Sequence, residues 1–442
     1  MDTERSVVPA ALSAACPAVR EASPEADAVA GVAPSYVASP ASTEEAAALL
    51  RAAAALGLTV VPRGAGTGLG WGQPPSSADL VVDLRLMDQV IEHAAGDLVA
   101  RVQAGASMGY LASVLASAGQ QLAVDAPAEA TVGGVVATGT AGPRRFRYGA
   151  PRDLLIGITV VRADGVVAHS GGKVVKNVAG YDLGKLFSGS QGTLGLITEA
   201  TFRLHPLPAA EAWVTADFAP NSPSALAAAA AAAAAAVTAA AGSALVPSAV
   251  ELRWADPPVV LRVGVLLEGT PSGVRERASQ LAELLETAGG TPVVALSETP
   301  FRWWEPESGP PGTVVRVTFW VRQLASVLEA LAAAGASTGL RPVVSGPAGA
   351  GVLYARLDAS VADPDAARFV RALRDRLEGV FAQSADGSGL VRGGVAVLAA
   401  PPAVRAAAGP DRPPPGLDLM RAVKDQFDPG HRMFPGRFQW GP

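Results

Sequence analysis

The chain has 442 residues, a formal net charge of −5 and a single cysteine. A chain of this length buries a large core and predicts two or more domains. The mildly acidic balance gives no basic footprint for nucleic acid, and the lone Cys16 excludes a disulfide framework and a cysteine-rich zinc or iron–sulfur site.

Lysine and histidine are both scarce in this sequence. Lysine occurs only at positions 173, 176, 185 and 424, and arginine supplies the other 31 basic residues. Three of the four lysines therefore lie between residues 171 and 195. The histidines at 93, 169, 205 and 431 are too dispersed for close metal-ligand spacing, so no metal site is predicted.

No segment has the pattern of a secretory leader or of a membrane span. Residues 1–5 lack a basic region followed by a long apolar stretch. The long uncharged run at 225–241 is almost pure alanine, which gains little in lipid, so a helix of a soluble domain is predicted there. We expect a cytoplasmic protein without direct membrane insertion, and peripheral docking through partner proteins stays compatible with this expectation.

Turn and capping residues divide the first half of the chain into short elements. Ser42-Thr-Glu-Glu45 is a capping box that predicts a helix, with Gly57 as its stop. Asp164-Gly165 predicts the turn of a hairpin over residues 156–169. Further strands are predicted at 36–39, 58–62, 79–83, 98–104 and 196–204, and a helix at 107–118.

The second half of the chain has a different pattern. Pro206 and Pro208 predict a domain boundary, and the strands that follow alternate with Ala/Leu-rich helices. This alternation predicts two βαβ-type units on one sheet, with helices on one face. The predicted organisation is an N-terminal extension at 1–35, a first domain at 36–208, a second at 209–400, and a proline-rich connection and tail at 401–442 that returns to the first domain.

Three small-residue segments rich in glycine lie in the first domain, at 63–72, 130–142 and 177–195. Glycines after a strand let backbone N–H groups come close to phosphate oxygens. One extended ligand lying across several loops explains why these segments are spread over so much of the domain.

Two common phosphate-binding motifs are excluded by single residues. Gly64-Ala-Gly66 begins a dinucleotide fingerprint, but Leu69 stands where its third glycine is required. Gly134 to Gly139 has the spacing of a P-loop, but Thr140 stands where that loop needs lysine. Neither a nicotinamide-binding Rossmann domain nor a P-loop ATPase is supported.

Taken together, the glycine segments resemble the flavin domain of the vanillyl-alcohol oxidase / p-cresol methylhydroxylase (PCMH) superfamily over residues 36–208. The matching runs are Arg63-Gly-Ala-Gly-Thr67, Thr131-Val-Gly-Gly134, Tyr148-Gly-Ala-Pro-Arg-Asp153, Val174-Val-Lys-Asn-Val-Ala-Gly-Tyr-Asp182 and Gly189-Ser-Gln-Gly-Thr-Leu-Gly-Leu-Ile197. Within the superfamily the sequence is most similar to the FAD-binding (E) subunits of bacterial glycolate oxidases. The runs that carry this similarity are Ala141-Gly-Pro-Arg-Arg145, Lys176-Asn-Val-Ala-Gly-Tyr-Asp182 and the C-terminal Phe427-Asp-Pro and Phe434-Pro-Gly-Arg437.

The resemblance implies an α+β fold, with a PCMH-type FAD-binding domain of two subdomains and a smaller α/β cap domain that has an antiparallel sheet. It implies noncovalent FAD and a complex with a larger FAD-linked subunit and an iron–sulfur subunit. Such a complex oxidises a small 2-hydroxy acid, for example glycolate to glyoxylate. An iron–sulfur relay would then belong to another chain, because this one has a single cysteine.

The resemblance also implies the cofactor-binding residues. Backbone N–H groups of 63–67 and 131–134 would receive the diphosphate, and 189–197 would line the adenine-ribose and flavin wall. The implied residues are Arg63, Gly64, Ala65, Gly66, Thr67, Gly68, Thr131, Val132, Gly133, Gly134, Thr138, Gly142, Lys176, Asn177, Tyr181, Gly189, Gly192, Thr193, Gly195 and Ile197. Relatives with covalent flavin often carry histidine where Thr67 stands, so we expect FAD to be held noncovalently.

The sequence assigns no catalytic residue. Catalytic relatives often have a His-Gly-Glu metal motif, whereas the four histidines here are followed by Ala, Ser, Pro and Arg. Lys176 is a candidate cation for stabilising anionic reduced flavin, or alternatively forms a salt bridge at the domain edge. Three functions stay open: a flavoenzyme subunit that passes electrons onward, an assembly subunit that binds FAD without turnover, and a stand-alone 2-hydroxy-acid dehydrogenase.

Overall fold

The computed structural model describes residues 2–173, 182–220, 225–255, 260–295, 312–383 and 393–440. The chain divides into two units that are interleaved in sequence. Unit 1 comprises Met1–Ala141, Gly149–Leu207 and Pro413–Pro442, and unit 2 comprises Gly142–Tyr148 and Pro208–Arg412. The N-terminal residues and the C-terminal tail are thus parts of unit 1, whereas the short segment 142–148 belongs to unit 2.

Unit 1 combines short helices with three sheets. Its helices are Asp2–Ala15, Thr43–Ala55, Met108–Ala116, Val132–Thr138, Pro151–Leu154, Gly184–Phe187 and Leu417–Phe427. Its strands are Val19–Glu21, Tyr36–Ala38, Val60–Arg63, Leu80–Asp83, Val90–Ala94, Val99–Gln103, Gln120–Gln121, Leu155–Val161, Val167–Gly171, Leu196–Arg203 and His205–Pro206. The predicted hairpin around Asp164-Gly165 is confirmed, because Leu155–Val161 pairs antiparallel with Val167–Gly171.

The helix predicted from Ser42-Thr-Glu-Glu45 is confirmed as Thr43–Ala55 with Ser42 as its N-cap, but the return bond of Glu45 goes to Ala41 rather than to Ser42. The Ser42 hydroxyl accepts a hydrogen bond from the Glu45 backbone N–H at 3.1 Å. In return, the Glu45 carboxylate accepts one from the Ala41 N–H at 2.9 Å, so two backbone donors at the helix start are satisfied. The helix ends before Gly57, which has φ +66°.

The two larger sheets of unit 1 have different strand directions. In the four-stranded sheet, Leu80–Asp83 pairs in parallel with both Tyr36–Ala38 and Val60–Arg63. The five-stranded sheet is antiparallel throughout and has Leu196–Arg203 at its centre. One hydrophobic core contains residues of both sheets. The loop that follows Val60–Arg63 begins where this strand of the four-stranded sheet ends.

Unit 2 contains one eight-stranded sheet in which each adjacent pair is antiparallel. The antiparallel sheet predicted for the second domain is confirmed. Its strands are Ala210–Phe218, Ala249–Ala255, Val260–Gly269, Thr291–Ala295, Thr313–Phe319, Val343–Gly346, Val352–Leu357 and Gly393–Ala399. Its helices are Arg145–Tyr148, Leu226–Ala241, Pro271–Thr287, Leu324–Thr338, Asp363–Gln383 and Pro402–Ala408.

The two expected βαβ-type units are present in a split form. Ala210–Phe218 and Ala249–Ala255 flank the helix Leu226–Ala241 in sequence, but Val260–Gly269 lies between them in the sheet. A β-α-β-β-α-β order with an inserted antiparallel strand is the ferredoxin-like arrangement. Residues 313–399 repeat this order, and the two repeats join where Ala249–Ala255 pairs with Val343–Gly346.

The alanine-rich run forms part of the unit 2 core. It folds as the helix Leu226–Ala241, and Ala233, Ala236 and Val237 are fully buried against the sheet. Across the described ranges of the chain, no helix combines the length and the apolar character needed to cross a membrane.

The proline-rich connection, predicted at 401–420 ahead of the tail, contains helical residues. The helix Pro402–Ala408 begins within it and Leu417–Phe427 begins near its end. Proline is compatible with the first turn of a helix, because the N–H that it lacks has no partner within the helix at that position. Proline content alone therefore did not separate a loop from a helix start.

A buried carboxylate fastens residues 142–148 to the rest of unit 2. Glu268 accepts hydrogen bonds from Arg144 Nε at 3.0 Å and from the Tyr148 hydroxyl at 2.7 Å, and Arg144 also bonds to Glu211. Burial and the bond to Glu268 raise the pKa of Tyr148 to about 12. These contacts explain why a segment within the predicted first domain belongs to unit 2.

Candidate functional site

The glycine-rich segments of unit 1 surround one cleft that is partly open to solvent. The predicted site residues that line the cleft are Arg63, Gly64, Ala65, Gly66, Thr67, Gly68, Thr131, Gly133, Gly134, Thr138, Gly192, Gly195 and Ile197. Hereafter, residues 63–72 are the glycine loop, Val132–Thr138 is the cleft helix, and 188–195 is the turn segment.

The cleft also has lining residues that were not named individually as site residues, although Leu69, Ala137 and Gln191 lie within the predicted glycine segments. These additional lining residues are Pro62, Leu69, Leu84, Ala104, Ala137, Gln191, Phe434 and Arg437. Leu84 and Ala104 follow core strands and carry no motif. Phe434 and Arg437 belong to the C-terminal run that carries part of the family resemblance, and this was the one signal that could have found them.

Other predicted residues lie elsewhere. Val132 is fully buried, and the Thr193 side chain is buried and bonds to the Ser190 carbonyl. Gly189 does not line the cleft, although its N–H donates to Val136. Gly142 belongs to unit 2. Lys176, Asn177 and Tyr181 fall outside the described residues, so their roles, including the flavin-stabilising role considered for Lys176, stay predictions.

The glycine loop offers a series of free backbone donors. It begins at the end of the strand Val60–Arg63, and Gly66 has φ +84°. Among the described residues, none accepts a hydrogen bond from the backbone N–H groups of 64–68. Successive N–H groups in a turn form a site for anions such as a diphosphate.

Two glycines of this loop are required by close packing against the cleft helix and its cap. A Cβ on Gly64 would overlap the Thr131 hydroxyl, and one on Gly68 would lie 2.8 Å from Thr138 Cγ2. Larger residues would push the loop away from the helix. The glycines therefore keep the free donors close to the opposite wall of the cleft.

The N-terminus of the cleft helix does not offer the donors that were expected there. The Val132 N–H donates to the Ala106 carbonyl at 2.9 Å, and the Gly133 N–H to the Ala104 carbonyl at 2.7 Å. The Gly134 N–H donates to the capping hydroxyl of Thr131 at 3.3 Å. The expected donation from Val132 and Gly133 to a diphosphate is thus corrected, because these groups are already used within the protein.

Arg63 holds the start of the glycine loop through two buried carboxylates. Its guanidinium donates to Asp27 and to Asp83, each at 3.1 Å. The hydrogen bond from Arg20, with a further one from Arg63, holds the pKa of Asp27 below its usual range. Three guanidinium groups share these two carboxylates, since Asp27 also pairs with Arg20 and Asp83 with Arg85. The side chain of Arg63 thus positions the loop, and the cluster keeps a net positive charge.

The turn segment is fixed to the end of the cleft helix. The Gly189 N–H donates to Val136 at 3.0 Å and the Gln191 N–H to Ala137 at 2.7 Å. From the other side, the buried ammonium of Lys424 donates to the Thr193 carbonyl at 2.6 Å. The turn segment is therefore held by backbone bonds on one side and by a lysine from the C-terminal tail on the other.

Two lysines of the segment 171–195 have acidic partners. Lys173 pairs with Glu92, and Lys185 pairs with Asp182 at 3.1 Å, with much of each lysine side chain exposed. Lys424, in the C-terminal tail, is buried and also bonds to Asp428 at 2.6 Å and to the Met433 carbonyl at 3.0 Å.

The histidines do not come together. His93 bonds to Gln120 at 2.9 Å, His169 to Thr159 at 3.1 Å, and His431 to Asp425 at 2.9 Å. Within the described ranges, no group of three or more histidine, cysteine, aspartate or glutamate side chains is arranged to hold a metal ion.

The segment that forms most of the cleft matches a known family of domains. Residues 34–171, which include the glycine loop and the cleft helix, match the family described as "FAD binding domain". FAD fits the cleft of this domain, since the unpartnered N–H groups of 64–68 suit a diphosphate and the cleft also has apolar lining.

Curated relatives with this FAD binding domain include two glycolate oxidase subunits. The chain is 38% identical over 177 residues to "Glycolate oxidase subunit GlcD" of Bacillus subtilis, covering 40% of this chain and 38% of the relative. It is 39% identical over 142 residues to "Glycolate oxidase subunit GlcE" of Escherichia coli, covering 31% of this chain and 40% of the relative. The matches thus span about two fifths of the length of these relatives.

Among solved structures, the fold is similar to that of p-cresol methylhydroxylase with substrate bound. The TM-score is 0.70 at 16% identity, and the match covers 99% of this chain and 97% of the other. An identity this low shows the fold alone. Together with the family match, it confirms the resemblance to the PCMH-type fold and the prediction of FAD.

Proposed function

We propose that this chain is the FAD-binding subunit of a glycolate oxidase-like complex that oxidises a small 2-hydroxy acid, with glycolate to glyoxylate as the leading reaction. The observation that carries the proposal is the FAD binding domain, whose cleft has free backbone donors at 64–68. The similarity to two chains named as glycolate oxidase subunits supports this choice of substrate class.

Each part of the cleft has its own task in this proposal. The N–H groups of the glycine loop would hold the diphosphate of FAD, and Leu84, Ala104 and Ile197 would keep water from the apolar parts of the cofactor. When bound, FAD accepts the two electrons removed from the hydroxy acid. Arg63, held by Asp27 and Asp83, would keep the loop in place.

The electrons would then pass to partner chains. We propose a larger FAD-linked subunit and an iron–sulfur subunit as these partners. The only cysteine, Cys16, is fully buried, and burial raises the pKa of its thiol, so it is not suited as a cluster ligand. The similarity to subunits of one named oxidase supports partnership with further chains.

A second candidate function is a subunit that binds FAD for assembly without turning over substrate. The separated histidines favour it, because His93, His169 and His431 each bond to a different neighbour instead of forming the metal site of catalytic relatives. A stand-alone 2-hydroxy-acid dehydrogenase is a third candidate.

Anaerobic addition of glycolate or D-lactate to the purified FAD-loaded chain separates these candidates. Bleaching of the flavin band at about 450 nm by the isolated chain supports direct oxidation. Bleaching that requires added partner subunits supports a subunit role. If the chain retains FAD but the reconstituted complex oxidises neither acid, the proposed substrate class is wrong.

The mode of FAD attachment gives an independent prediction. We expect acid precipitation to release all FAD into the supernatant, because the threonine at position 67 cannot form the flavin bond that histidine forms in some relatives. The measurement is the absorbance of supernatant and pellet after trichloroacetic acid treatment. Yellow colour retained by the washed pellet would contradict noncovalent binding.

A further inference from the structure

The C-terminal arm, residues 413–440, belongs to unit 1 although the whole of the second predicted domain separates it from the glycine loop in sequence. The arm pairs with the first residue of the strand Val60–Arg63, which leads into the glycine loop. The Val60 N–H donates to the Arg432 carbonyl and the Phe434 N–H to the Val60 carbonyl, each at 2.8 Å. This pairing fixes the arm next to the base of the glycine loop.

Arg437 of this arm bonds to both loops that line the cleft. Its guanidinium donates to the carbonyls of Gly68 at 2.8 Å and Leu69 at 2.9 Å, and to Gln191 Oε1 at 2.7 Å. Arg437 is 2% exposed. One planar side chain therefore ties the glycine loop to the turn segment.

The contacts of Arg437 stabilise the turns of the glycine loop. The Gly68 carbonyl also accepts the Trp71 N–H, and the Leu69 N–H donates to Gly66, each at 3.1 Å. Because a peptide unit is planar, fixing the Gly68 and Leu69 carbonyls also fixes the N–H groups of Leu69 and Gly70. Arg437 thereby anchors the part of the loop that directly follows the free donors of 64–68, and the Leu69 N–H connects this part back to the Gly66 carbonyl.

Two residues in contact with Arg437 have strained backbones. Gln191 has φ +52° and Phe434 has φ +44°, and the Arg437 guanidinium lies 4.6 Å from the centre of the Phe434 ring. Such conformations in residues other than glycine persist only where surrounding contacts impose them, and they cluster at ligand clamps. The strain on both sides of Arg437 indicates that the structure maintains this junction despite its energetic cost.

We propose that Arg437 is a positioning residue that holds the glycine loop and the turn segment in their FAD-binding conformation before the cofactor arrives. A loop ordered in advance loses less conformational entropy on binding, so the affinity for the ligand rises. The proposal rests on FAD binding and does not depend on which hydroxy acid, if any, the chain oxidises.

The test compares the variants Arg437→Gln and Arg437→Lys with Arg432→Gln. Arg432 is a matched control, since it lies in the same arm and donates to the backbone carbonyls of Leu58 and Ala163, which are outside both loops. The FAD dissociation constant of each apoprotein is measured by flavin fluorescence titration. Amide hydrogen exchange of peptides covering 64–73 and 188–195 is followed without FAD.

We expect both Arg437 variants to bind FAD at least about tenfold more weakly and to exchange faster in both loops. Lysine keeps the charge but lacks the planar fork that reaches three acceptors, so it does not restore binding. Arg432→Gln should leave the dissociation constant within about twofold of the wild-type value. The melting temperature of each variant shows whether its substitution has destabilised the protein as a whole.

Three results would overturn the proposal. One is wild-type FAD affinity in Arg437→Gln. Another is full restoration by Arg437→Lys, which would mean that charge rather than loop geometry matters. The third is an equal loss of affinity in Arg432→Gln, which would reduce the effect to general stability of the arm. If the Arg437→Gln variant does not fold, amide hydrogen exchange of both loops in the Arg437→Lys variant serves as the test by itself.

Discussion

The glycine loop and the cleft helix both contain glycines but use them differently. Both are rich in small residues, and both line the cleft. In the glycine loop, the N–H groups of 64–68 have no acceptor among the described residues, whereas Val132 and Gly133 donate to carbonyls of unit 1. A glycine-rich sequence therefore indicates close approach of backbone, and only the hydrogen-bond partners show whether that approach serves a ligand or the protein.

The largest effect is expected from Gly64→Ala in the glycine loop. The new Cβ would overlap the Thr131 hydroxyl and displace the loop, with loss of one or two hydrogen bonds to the diphosphate. At ~1.5–3 kcal/mol for each such bond, FAD binding should weaken by about 100-fold. The measurement is a fluorescence titration of the apoprotein with FAD.

Gly70→Ala is the matched control for this substitution. Gly70 lies in the same loop, and a Cβ there would meet no atom within 4 Å. FAD affinity close to wild type is expected. Equal weakening by both variants would show that the loop needs flexibility rather than the close contact at Gly64.

A smaller effect on FAD, and a larger one on stability, is expected from Gly133→Ala in the cleft helix. Its Cβ would lie 2.7 Å from the Ala104 Cβ and 3.0 Å from the Ala104 carbonyl. Overpacking of this kind lowers the free energy of unfolding by about 1–3 kcal/mol. Urea denaturation of the apoprotein measures this change. If Gly133→Ala abolished FAD binding at unchanged stability, the distinction between the two segments would fail.

Much of the fold and part of the site could be predicted, because local signals specify local structure. Ser42 and Glu45 satisfy the helix N-terminus of their own segment, and the Asp164-Gly165 turn joins neighbouring strands. The inserted strand Val260–Gly269 was not predictable from alternation alone, since strand order depends on pairing between segments distant in sequence. The order of the strands in this sheet is therefore known from the structure and not from the sequence pattern.

The residues that were missed at the cleft act over long sequence distances. Arg437 bonds to Gly68, and Lys424 bonds to Thr193, across hundreds of positions. Val132 and Gly133 were expected to donate to a ligand, because nothing local in the sequence shows that Ala106 and Ala104 accept their protons. These are tertiary contacts, and no periodicity or spacing encodes them.

The smallest effect concerns acid stability at the base of the glycine loop. The pKa of Asp27 is lowered by the hydrogen bond from Arg20 and further by Arg63, so the ionised acid stabilises the folded state. This contribution is present above the unfolded-state pKa and is lost as the pH falls through the folded-state pKa, that is, below about pH 4.

Asp27→Asn should therefore flatten the pH dependence of stability on the acid side. Urea midpoints at several pH values below about pH 5 measure it. FAD affinity at neutral pH should change little if Arg63 mainly positions the loop, since Asp83 still holds its guanidinium at 3.1 Å. A large rise in FAD affinity would instead indicate that freeing the charge of Arg63 attracts the diphosphate.

We expect FAD to bind through the backbone donors of residues 64–68 and not through those of the cleft helix. Amide hydrogen exchange of the protein with and without FAD tests it most directly. We expect the amides of 64–68 to exchange rapidly without FAD and to become protected when it binds, whereas those of Val132 and Gly133 are protected in both states. New protection at 132–134, with no change at 64–68, would contradict the account.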